Sequence, residues 1–418
     1  MKDMDRLVEI LAQKIRKQVH IRIIGDYDVD GVTSSHLFLT ALRRVGAKVD
    51  VVIPHRIQDG YGLSLHLLQQ AKEDGVDTIL TCDNGIAAID EIAWAKAQKM
   101  TVLVTDHHAV PFEEHEGRRT EKKSLADAVV NPHQQDCGYP YKELCGAGVA
   151  WNVIRVLYEN YDMDKREAED LLDFVAMATV CDVMSLTGEN RILVKEGLKR
   201  IRHTKNIGLQ ALMQACNVQP ENISAYHFGY VLGPCVNATG RLDTARHALR
   251  LFETGQETEA EEIARDLVDL NQERKELTLQ GVEMAKKLCE EGGYENDPVL
   301  VLFLPDVHES IAGLIAGRIR EMYNRPVFVL TRGEEGVKGS GRSTENYSMY
   351  ENMCGCAELF TKFGGHPMAA GLSLPEENVE KFRRKINENC PLTVEEVCPD
   401  IHIDMAMPVG YALSLIHI

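Results

Sequence analysis

Acidic and imidazole side chains follow three short apolar segments of the sequence. IRIIG leads into GDYDVDG (residues 25–31), TILTC leads into Asp83, and TVLVT leads into DHH (106–108). Because the carboxyl ends of parallel strands open at one edge of a sheet, strands at these places would bring the side chains together. Carboxylates packed this closely repel one another unless a cation neutralises them. Oxygen ligands with one or two imidazoles suit Mn²⁺ or Mg²⁺, so the sequence predicts a divalent metal site.

A turn is the alternative for each acidic motif taken alone, because Asp and Gly are common in turns. An EF-hand is excluded for the first motif, since the twelfth position counted from Asp26 is Leu37 and not a bidentate Glu. A fourth carboxylate, Asp182, ends the apolar helical run LLDFVAMATVC, where it needs a partner unless it caps the following turn. Three such motifs at three strand ends are much less likely to arise by chance than one, so the metal site is favoured over three separate turns.

Alternating strand and helix patterns predict a parallel sheet covered by helices in the first part of the chain. The strands are short, nearly continuous apolar runs of the kind that is buried on both faces. They lie at 21–25, 49–53, 78–82, 101–105 and 128–130, with helices at 33–45, 63–74 and 87–98 between them. We assign this sheet to residues 1–135 and a helical part to residues 146–250 of one catalytic domain, 1–250.

A long helix and a second α/β unit are predicted to follow. Apolar residues recur at three- and four-residue steps through 257–289, which indicates one amphipathic helix within a connecting segment, 251–292. A smaller α/β domain is placed at 293–390. Its predicted elements are strands at 299–304 and 326–330 and a helix at 310–323. The fold class is therefore α/β, and residues 391–418 have the pattern of only the first strand of another domain.

Charge and composition limit the classes of function. The 418 residues carry a net charge of −18, which argues against coating of nucleic acid by bulk positive charge but leaves room for a local basic groove. Eleven cysteines without metal-ligand spacing indicate reduced thiols. The charged N-terminus lacks the apolar core of a signal peptide, and no apolar run reaches the ~18 residues of a membrane span. We therefore expect a cytoplasmic protein without membrane contact.

The motifs GDYDVDG, TCDNG, TDHH and MATVCDVMSL, in this order, resemble the four motifs of the DHH phosphoesterase superfamily. Further segments are similar to its RecJ branch, the single-strand-specific DNA exonucleases. They are GPCVNATGRLDTA (233–245), VHESIAGLIAGRIREMYNRPVFVL (307–330), GSGRS (339–343) and FGGHPMAAGLSL (363–374). The resemblance covers residues 15–405. It implies a DHH domain joined by the long helix to a smaller DHHA1 domain, with residues 391–418 as the truncated start of an oligonucleotide-binding (OB-fold) barrel.

The resemblance also implies a centre of two Mn²⁺ or Mg²⁺ ions. Carried over to this sequence, the ligands are Asp26, Asp28, Asp30, Asp83, His107 and Asp182. Asp28 and Asp83 would hold one ion, and Asp83 would be shared with the other. Related enzymes place a histidine four residues before Asp28, where this sequence has Ile24. Asp26 or water would fill that place.

Three residues would carry the chemistry of this centre: His108, Asp83 and Asp30. His108 is expected beside the scissile phosphate as a proton donor or charge stabiliser. Asp106 is expected to orient His107 by a hydrogen bond, as carboxylates often do for ligating imidazoles. Two divalent ions would make a hydroxide from water and offset charge in the in-line transition state, so no covalent nucleophile is needed.

Substrate contacts would come from the smaller domain and from the segment around Arg241. The stretch 339–343 would offer unhindered backbone N–H groups beside Arg342, and His366 would reach the substrate from a second Gly-rich stretch. Either stretch alone also fits a tight turn. Arg241 is the candidate for the terminal 5′-phosphate, with a surface salt bridge as the alternative. The predicted substrate-binding residues are Asn237, Arg241, His308, Arg318, Ser340, Arg342, Gly365 and His366.

The function that the resemblance implies is 5′→3′ hydrolysis of single-stranded DNA in repair and recombination. The chain would be a monomer, with a single-strand-binding protein or a helicase as candidate partners. One alternative is a DHH-family phosphodiesterase acting on short oligonucleotides or cyclic dinucleotides, which the chain length and the GRLDTA segment disfavour. The other alternative is a scaffold protein that has lost its metal ligands, and the intact acidic positions disfavour this alternative. Because most of the barrel is missing, we expect weak strand binding and low processivity.

Overall fold

The computed structural model describes residues 1–56, 59–60, 62–115, 118–294, 297–333, 336–392, 403 and 405–406. The chain divides into two compact units, Met1–Glu273 and Arg274–Ile418. The boundary falls inside one helix, Glu257–Glu291, which covers the predicted periodic segment 257–289. Each unit has a five-stranded sheet of its own, so the predicted α/β class is confirmed.

A five-stranded parallel sheet organises the first unit, in the order β2-β1-β3-β4-β7. The strands of this unit are β1 (Ile21–Ile24), β2 (Val49–Val52), β3 (Thr78–Cys82), β4 (Thr101–Thr105), β5 (Phe112–His115), β6 (Arg118–Glu121) and β7 (Ala128–Val130). The strands β5 and β6 form a separate hairpin. All five strands predicted for the sheet are confirmed to within one residue at each end.

Helices cover both faces of this sheet. The helices that lie within the first unit are α1 (Met4–Arg16), α2 (Val29–Arg44), α3 (Leu65–Glu73), α4 (Ile89–Ala97), α5 (Gly146–Asn160), α6 (Lys165–Glu169), α7 (Leu172–Cys181), α8 (Gly188–Ile201), α9 (Ile207–Ala215), α10 (Ala225–His227), α11 (Gly233–Leu242) and α12 (Ala245–Glu253), and α13 (Glu257–Glu291) begins in it and ends in the second unit. One face packs on α3 and α4, and the other packs on α1, α2 and the helical region from α5 onward. The helices α5 to α12 lie in the segment predicted to be helical, 146–250, except that α12 continues to Glu253.

The helix α2 begins four residues before its predicted start at residue 33. Asp28 is its N-cap, and the Asp28 carboxylate accepts a hydrogen bond from Gly31 N at 3.0 Å. A carboxylate in this position satisfies a backbone N–H group that has no partner within the helix. The acidic motif therefore forms the first turn of α2 and is held rigidly at the end of β1.

The second unit is a mixed sheet in the order β11-β12-β10-β9-β8. Its elements are β8 (Leu300–Phe303), α14 (Ala312–Tyr323), β9 (Val327–Gly333), β10 (Gly336–Arg342), α15 (Met349–Cys354), β11 (Lys362–Gly365), β12 (Ala369–Leu374) and α16 (Val379–Glu388). The pair β8–β9 is parallel and α14 connects it, as predicted. The other strand pairs are antiparallel.

Residues 339–342 of the glycine-rich stretch 339–343 lie in a strand, and not in a turn or an open loop. The strand β10 lies in the middle of the sheet and pairs with β9 and β12. Its backbone N–H groups are directed at neighbouring strands, so the prediction of unhindered N–H groups is wrong. Packing explains the glycine at 341, because a Cβ atom there would lie 2.4 Å from the Met349 sulfur and 2.8 Å from the Phe328 ring.

The predicted OB-fold start, 391–418, lies almost wholly outside the described residues. Within the part of the chain that the structure describes, no helix has the length and apolar character needed to cross a membrane.

Candidate metal centre

The acidic motifs at the ends of β1, β3 and β4 and the carboxylate at the end of α7 converge on one site. Three groups of side chains each bring ligand atoms within 4.8 Å of one another. The groups are Asp26–Asp28–Asp83, Asp30–His107–Asp182 and Asp83–His107–His108. All six predicted ligands and His108 belong to them, and the groups share Asp83 and His107.

The ring of His107 lies at the centre of the carboxylates. Its Nε2 atom is 3.1 Å from Asp83 Oδ1, 3.5 Å from Asp182 Oδ2 and 3.7 Å from Asp30 Oδ2. Among the described residues, buried atoms with no hydrogen-bond partner include Nε2 of His107, Oδ2 of Asp182 and Oδ1 of Asp26. Buried polar atoms are rarely left unpaired, and an ion would satisfy these. This donor set of oxygens with an imidazole fits Mn²⁺ or Mg²⁺.

Burial and mutual repulsion disfavour the charged forms of these carboxylates. Burial, and then the charges of neighbouring aspartates, raise the pKa of Asp83 and of Asp26 well above the usual range. The same causes raise the pKa of Asp182 to about 8. Burial lowers the pKa of His107 and keeps its ring in the neutral form that binds metals. A bound cation would remove the repulsion and favour ionised carboxylates.

Asp30 is anchored by the start of α5. Its Oδ2 accepts a hydrogen bond from Gly146 N at 2.6 Å, and its Oδ1 accepts one from Ala147 N at 2.7 Å. The carboxylate thus lies at the positive end of the helix dipole. Gly146 also allows a close approach, since a Cβ atom there would lie 2.6 Å from Asp83 Cβ. This close-packed helix start positions both Asp30 and Asp83.

Replacing Gly146 with alanine is expected to displace Asp83, because the added methyl group has no room. We expect a loss of about 1–3 kcal/mol in the free energy of unfolding, as is typical of overpacking, together with weaker Mn²⁺ binding. Thermal unfolding and titration calorimetry would measure both. The matched control is Gly138→Ala, where a Cβ atom would meet nothing within 4 Å. Equal Mn²⁺ affinity in the two variants would contradict this role of Gly146.

The predicted ligand Asp83 and the residue after the predicted ligand Asp182 have left-handed backbone conformations. Asp83 has φ 62°, and Val183, directly after Asp182, has φ 57°. Aspartate tolerates this region, whereas a β-branched residue there is an outlier. Such conformations cost of order 1–3 kcal/mol and persist where the surrounding structure holds them. Here they set the directions in which the chain leaves the Asp83 and Asp182 positions.

Asp106 orients His108 and not His107, which corrects the sequence-based prediction. Asp106 Oδ1 accepts hydrogen bonds from the backbone N of His107 and of His108 and lies 2.8 Å from the His108 Nδ1 atom. Asp106 Oδ2 accepts a bond from Ile86 N. Burial alone would lower the pKa of His108, but the hydrogen bond and charge of Asp106 outweigh it and raise this pKa to about 9. His108 is therefore positively charged at neutral pH, and 43% of its side chain is exposed.

The metal-free protein is expected to lose stability as the pH rises from 6.5 to about 8. In this range the folded state holds protons on Asp182 and His108 that the unfolded state has released, because both pKa values are raised by folding. Stability falls with pH wherever the folded state binds more protons. His107 does not oppose this trend, since its lowered pKa leaves it neutral in both states above pH 6.5.

Melting temperatures measured in a chelating buffer across this range would test the expectation. Asp182→Asn should flatten the decline. Saturating Mn²⁺ should weaken or reverse it, because the ligands bind metal in their deprotonated forms. A melting temperature that rises with pH in the chelating buffer would contradict the argument.

Arg56 is a residue of this region that the sequence reasoning missed. Its guanidinium lies 4.9 Å from the centre of the Tyr27 ring, and its charge opposes the raised pKa of Asp26. Arg56 follows β2 by four residues. The rule that drew attention to the other strand ends also applies to β2, and it would have identified this cation.

The two substrate-binding candidates of the first unit lie beside the first acidic motif. Asn237 Oδ1 accepts a hydrogen bond from Val29 N at 3.1 Å, so this carboxamide holds the start of α2. Arg241 lies close enough to Tyr27 for its charge to oppose the raised pKa that burial gives the phenol. Both residues are on α11, which therefore supports the metal site from one side.

In the second unit, Ser340 and Arg342 share one face of β10, since they are two residues apart on a strand. Gly313 of α14 leaves room for the Arg342 guanidinium, because a Cβ atom there would lie 2.8 Å from it. Gly365 pairs with Ala370, which pairs with Gly341, so the two Gly-rich stretches meet at the same end of the sheet.

The remaining candidates of the second unit are exposed. His366 follows β11, and its backbone N donates to Ala369 O. His308 Nδ1 is 2.6 Å from Ser310 Oγ and caps a short helical turn. Arg318 is 68% exposed and lies 3.9 Å from Glu321. Their predicted contacts with a substrate stay predictions.

Two family models match the chain. The DHH family, N-terminal domain, matches residues 20–179, and the DHHA1 domain matches residues 296–390. These ranges contain both sheets, so the domain types that the sequence motifs indicated are confirmed.

Curated relatives and solved structures agree with these matches. A protein of Haemophilus influenzae named single-stranded-DNA-specific exonuclease RecJ is 37% identical over 92% of this chain and 68% of its own length. A crystal structure of exonuclease RecJ bound to manganese has a TM-score of 0.81 at 31% identity, over 95% of this chain and 96% of that one. RecJ of Thermus thermophilus in complex with Mg²⁺ has a TM-score of 0.72 at 29% identity and matches 93% of this chain and 52% of its own. The chain thus spans about two thirds of the first relative and half of the Thermus protein.

Proposed function

Because the chain belongs to the RecJ family of single-stranded-DNA-specific exonucleases, we propose that it removes nucleotides from the 5′ end of single-stranded DNA with two divalent ions. The observation that carries the proposal is the convergence of six predicted ligands on a buried site in which Asp83 and His107 are shared between groups. A shared carboxylate is what a pair of ions ~3.5–4 Å apart requires. DNA repair and recombination are the cellular setting in the same proposal.

The residues of the first unit would hold the ions and the reacting phosphate in a fixed arrangement. When bound, the ions supply an activated water and offset charge on the phosphate in the in-line transition state. Asp30, fixed by Gly146 and Ala147, and Asp83, fixed by the turn after β3, would keep their ligand oxygens in place. Rigid ligands of this kind reduce the reorganisation that the reaction requires.

His108 would act on the substrate side of the centre. With its pKa raised to about 9, the ring carries two N–H groups at neutral pH. The Nδ1–H group donates to Asp106, and the Nε2–H group would donate to a phosphate or leaving-group oxygen. The charged ring would thereby stabilise developing negative charge or supply the proton for the departing oxygen.

Arginine side chains would bind the strand without a bulk positive charge. Arg241 on α11 would bind the terminal 5′-phosphate, and this contact would give the 5′→3′ direction. Ser340 and Arg342, on one face of β10, would bind a further phosphate through side-chain donors. Arg56 adds another cation beside Asp26. Guanidinium groups suit this role because their planar donor arrangement matches phosphate oxygens.

Strands labelled at either end would test the direction and the substrate. With Mn²⁺, a 3′-labelled single strand should shorten step by step, and a 5′-labelled strand should release its label as a mononucleotide in the first cleavage. A blunt duplex should resist, and a chelator should stop the reaction. Internal cuts or release from the 3′ end would contradict the proposed direction. Hydrolysis restricted to dinucleotides would favour the short-oligonucleotide phosphodiesterase.

A further inference from the structure

Two exposed tyrosines stack on each other in the first unit. The rings of Tyr226 and Tyr230 have centroids 5.2 Å apart and planes inclined by 25°. The side chains are 62% and 71% exposed, respectively. Large aromatic side chains contribute most when they are buried, so an exposed stacked pair is unusual for a purely structural role. Exposed aromatic faces are what proteins offer to the bases of single-stranded nucleic acids.

The backbone around the pair holds it in a defined place. Ser224 and His227 form a capping box at the start of α10. A π-helical turn, Phe228–Leu232, follows and leads directly into α11. Phe228 is fully buried, so it anchors the turn between the two exposed rings. Single π-helical turns occur often at functional sites, and this one sets the spacing of Tyr226 and Tyr230.

The π-helical turn also packs against the end of α7 that carries Asp182. The Cys181 Sγ atom lies 3.3 Å from Phe228 O and donates to it. A Cβ atom on Gly233 would lie 2.3 Å from the same sulfur. The helix α11, which begins where the turn ends, holds the start of α2 through Asn237. The tyrosine pair is therefore built on the same two elements that position metal ligands.

We propose that Tyr226 and Tyr230 form a stacking platform for a nucleobase of the strand whose phosphate lies at the metal centre. The proposal rests on the proposed function, because it takes single-stranded DNA as the substrate. Every base has a flat apolar face, so stacking would hold the strand without regard to sequence. It would also supply affinity that the net charge of −18 does not. A nucleobase is favoured over a protein partner because the turn that carries the pair contacts the end of α7, next to Asp182, and leads into α11, which holds the first acidic motif.

A cycle of protein and substrate changes would test the platform. We would measure binding of labelled strands about 12 nucleotides long, within the usual range of site sizes, in a chelating buffer that prevents hydrolysis. One abasic position would be moved along the strand. Tyr226→Ala and Tyr230→Ala should each weaken binding of the intact strand by about tenfold, in line with stacking energies measured elsewhere. Tyr230→Phe should bind like the unchanged protein, because it keeps the ring.

The decisive result is whether the effect of the tyrosine substitution on binding depends on the presence of one base of the strand. At one abasic position the unchanged protein should itself bind about tenfold more weakly, and Tyr230→Ala should cause no further loss there. A structural role for the tyrosine would weaken binding of intact and abasic strands alike, and that result would overturn the proposal. Ile192→Ala is the matched control, since Ile192 is an exposed apolar residue of a helix in the same unit. It should leave binding unchanged.

Hydrolysis with Mn²⁺, measured in parallel, separates this proposal from the proposed function. If the protein degrades single strands and the tyrosine variants bind them as well as the unchanged protein, the platform alone is overturned and a protein partner becomes the occupant. If the coupling is present but no strand is hydrolysed, the platform stands and the proposed function fails. If no strand binds and none is hydrolysed, both are overturned.

Discussion

Replacing Asp83 with alanine is expected to lower the rate of single-strand hydrolysis by about 10³-fold or more. Asp83 belongs to two of the three groups of converging ligands and would be shared by both ions. Metal ions contribute several kcal/mol to charge stabilisation in such reactions, and each 1.4 kcal/mol is a factor of ten in rate. Loss of the shared ligand would disturb both ions. Steady-state hydrolysis of a 3′-labelled strand with Mn²⁺ measures the effect.

The matched control for this variant is Asp136→Ala. Asp136 is an exposed aspartate of the same unit, paired with Lys2 at 2.8 Å. It should retain full activity, which would show that the loss is specific to the buried cluster and not to a change of net charge. The Asp83→Ala protein should still unfold cooperatively. A folded Asp83→Ala protein with more than about a tenth of the original rate would rule out the shared-ligand role.

Mn²⁺ is expected to stabilise the protein markedly against heat. A ligand present at about 100 times its dissociation constant adds about 2.7 kcal/mol to the free energy of unfolding. For a unit of this size, that corresponds to a rise of about 5–10 °C in melting temperature. The physical reason is that a cation would offset the burial and the mutual repulsion that raise the pKa of Asp26, Asp83 and Asp182.

The gain should depend on the cluster and not on surface charge. Asp83→Ala and His107→Ala should lose most of the increase in melting temperature, and Asp136→Ala should retain it. Mg²⁺ should give a smaller gain, since it accepts only near-ideal octahedral geometry and gives up its water reluctantly. An equal gain in Asp83→Ala and in the unchanged protein would mean that Mn²⁺ binds elsewhere.

The sheet of the first unit and the metal ligands could be predicted from sequence because one physical rule covers both. Strands buried on both faces are continuous apolar runs, and the residues that follow such strands lie at one sheet edge. Asp83 and His107 follow different strands, and each lies within 4.8 Å of other ligand atoms, as this rule predicts. Asp182 follows the helix α7 and was identified by a different argument, since a carboxylate after so apolar a run needs a partner. The rule needs only the order of apolar runs, which the sequence displays directly.

Other features depended on contacts that no local pattern records. Position 341 of the strand β10 is glycine because Met349 and Phe328 occupy the space of a Cβ atom, and the sequence alone suggests a loop there. The partner of Asp106 could not be read from the order Asp106-His107-His108, since both rings are within reach. The strand-end rule applies to Arg56 after β2, but the position of its guanidinium over the Tyr27 ring depends on how the chain turns there.

The most direct test of the two-metal centre is anomalous diffraction from crystals of the protein grown with Mn²⁺. We expect two manganese peaks ~3.5–4 Å apart, with Asp83 coordinating both, Asp28 coordinating one, and Asp30, His107 and Asp182 coordinating the other. A single peak at full occupancy, or two peaks that do not share Asp83, would contradict it.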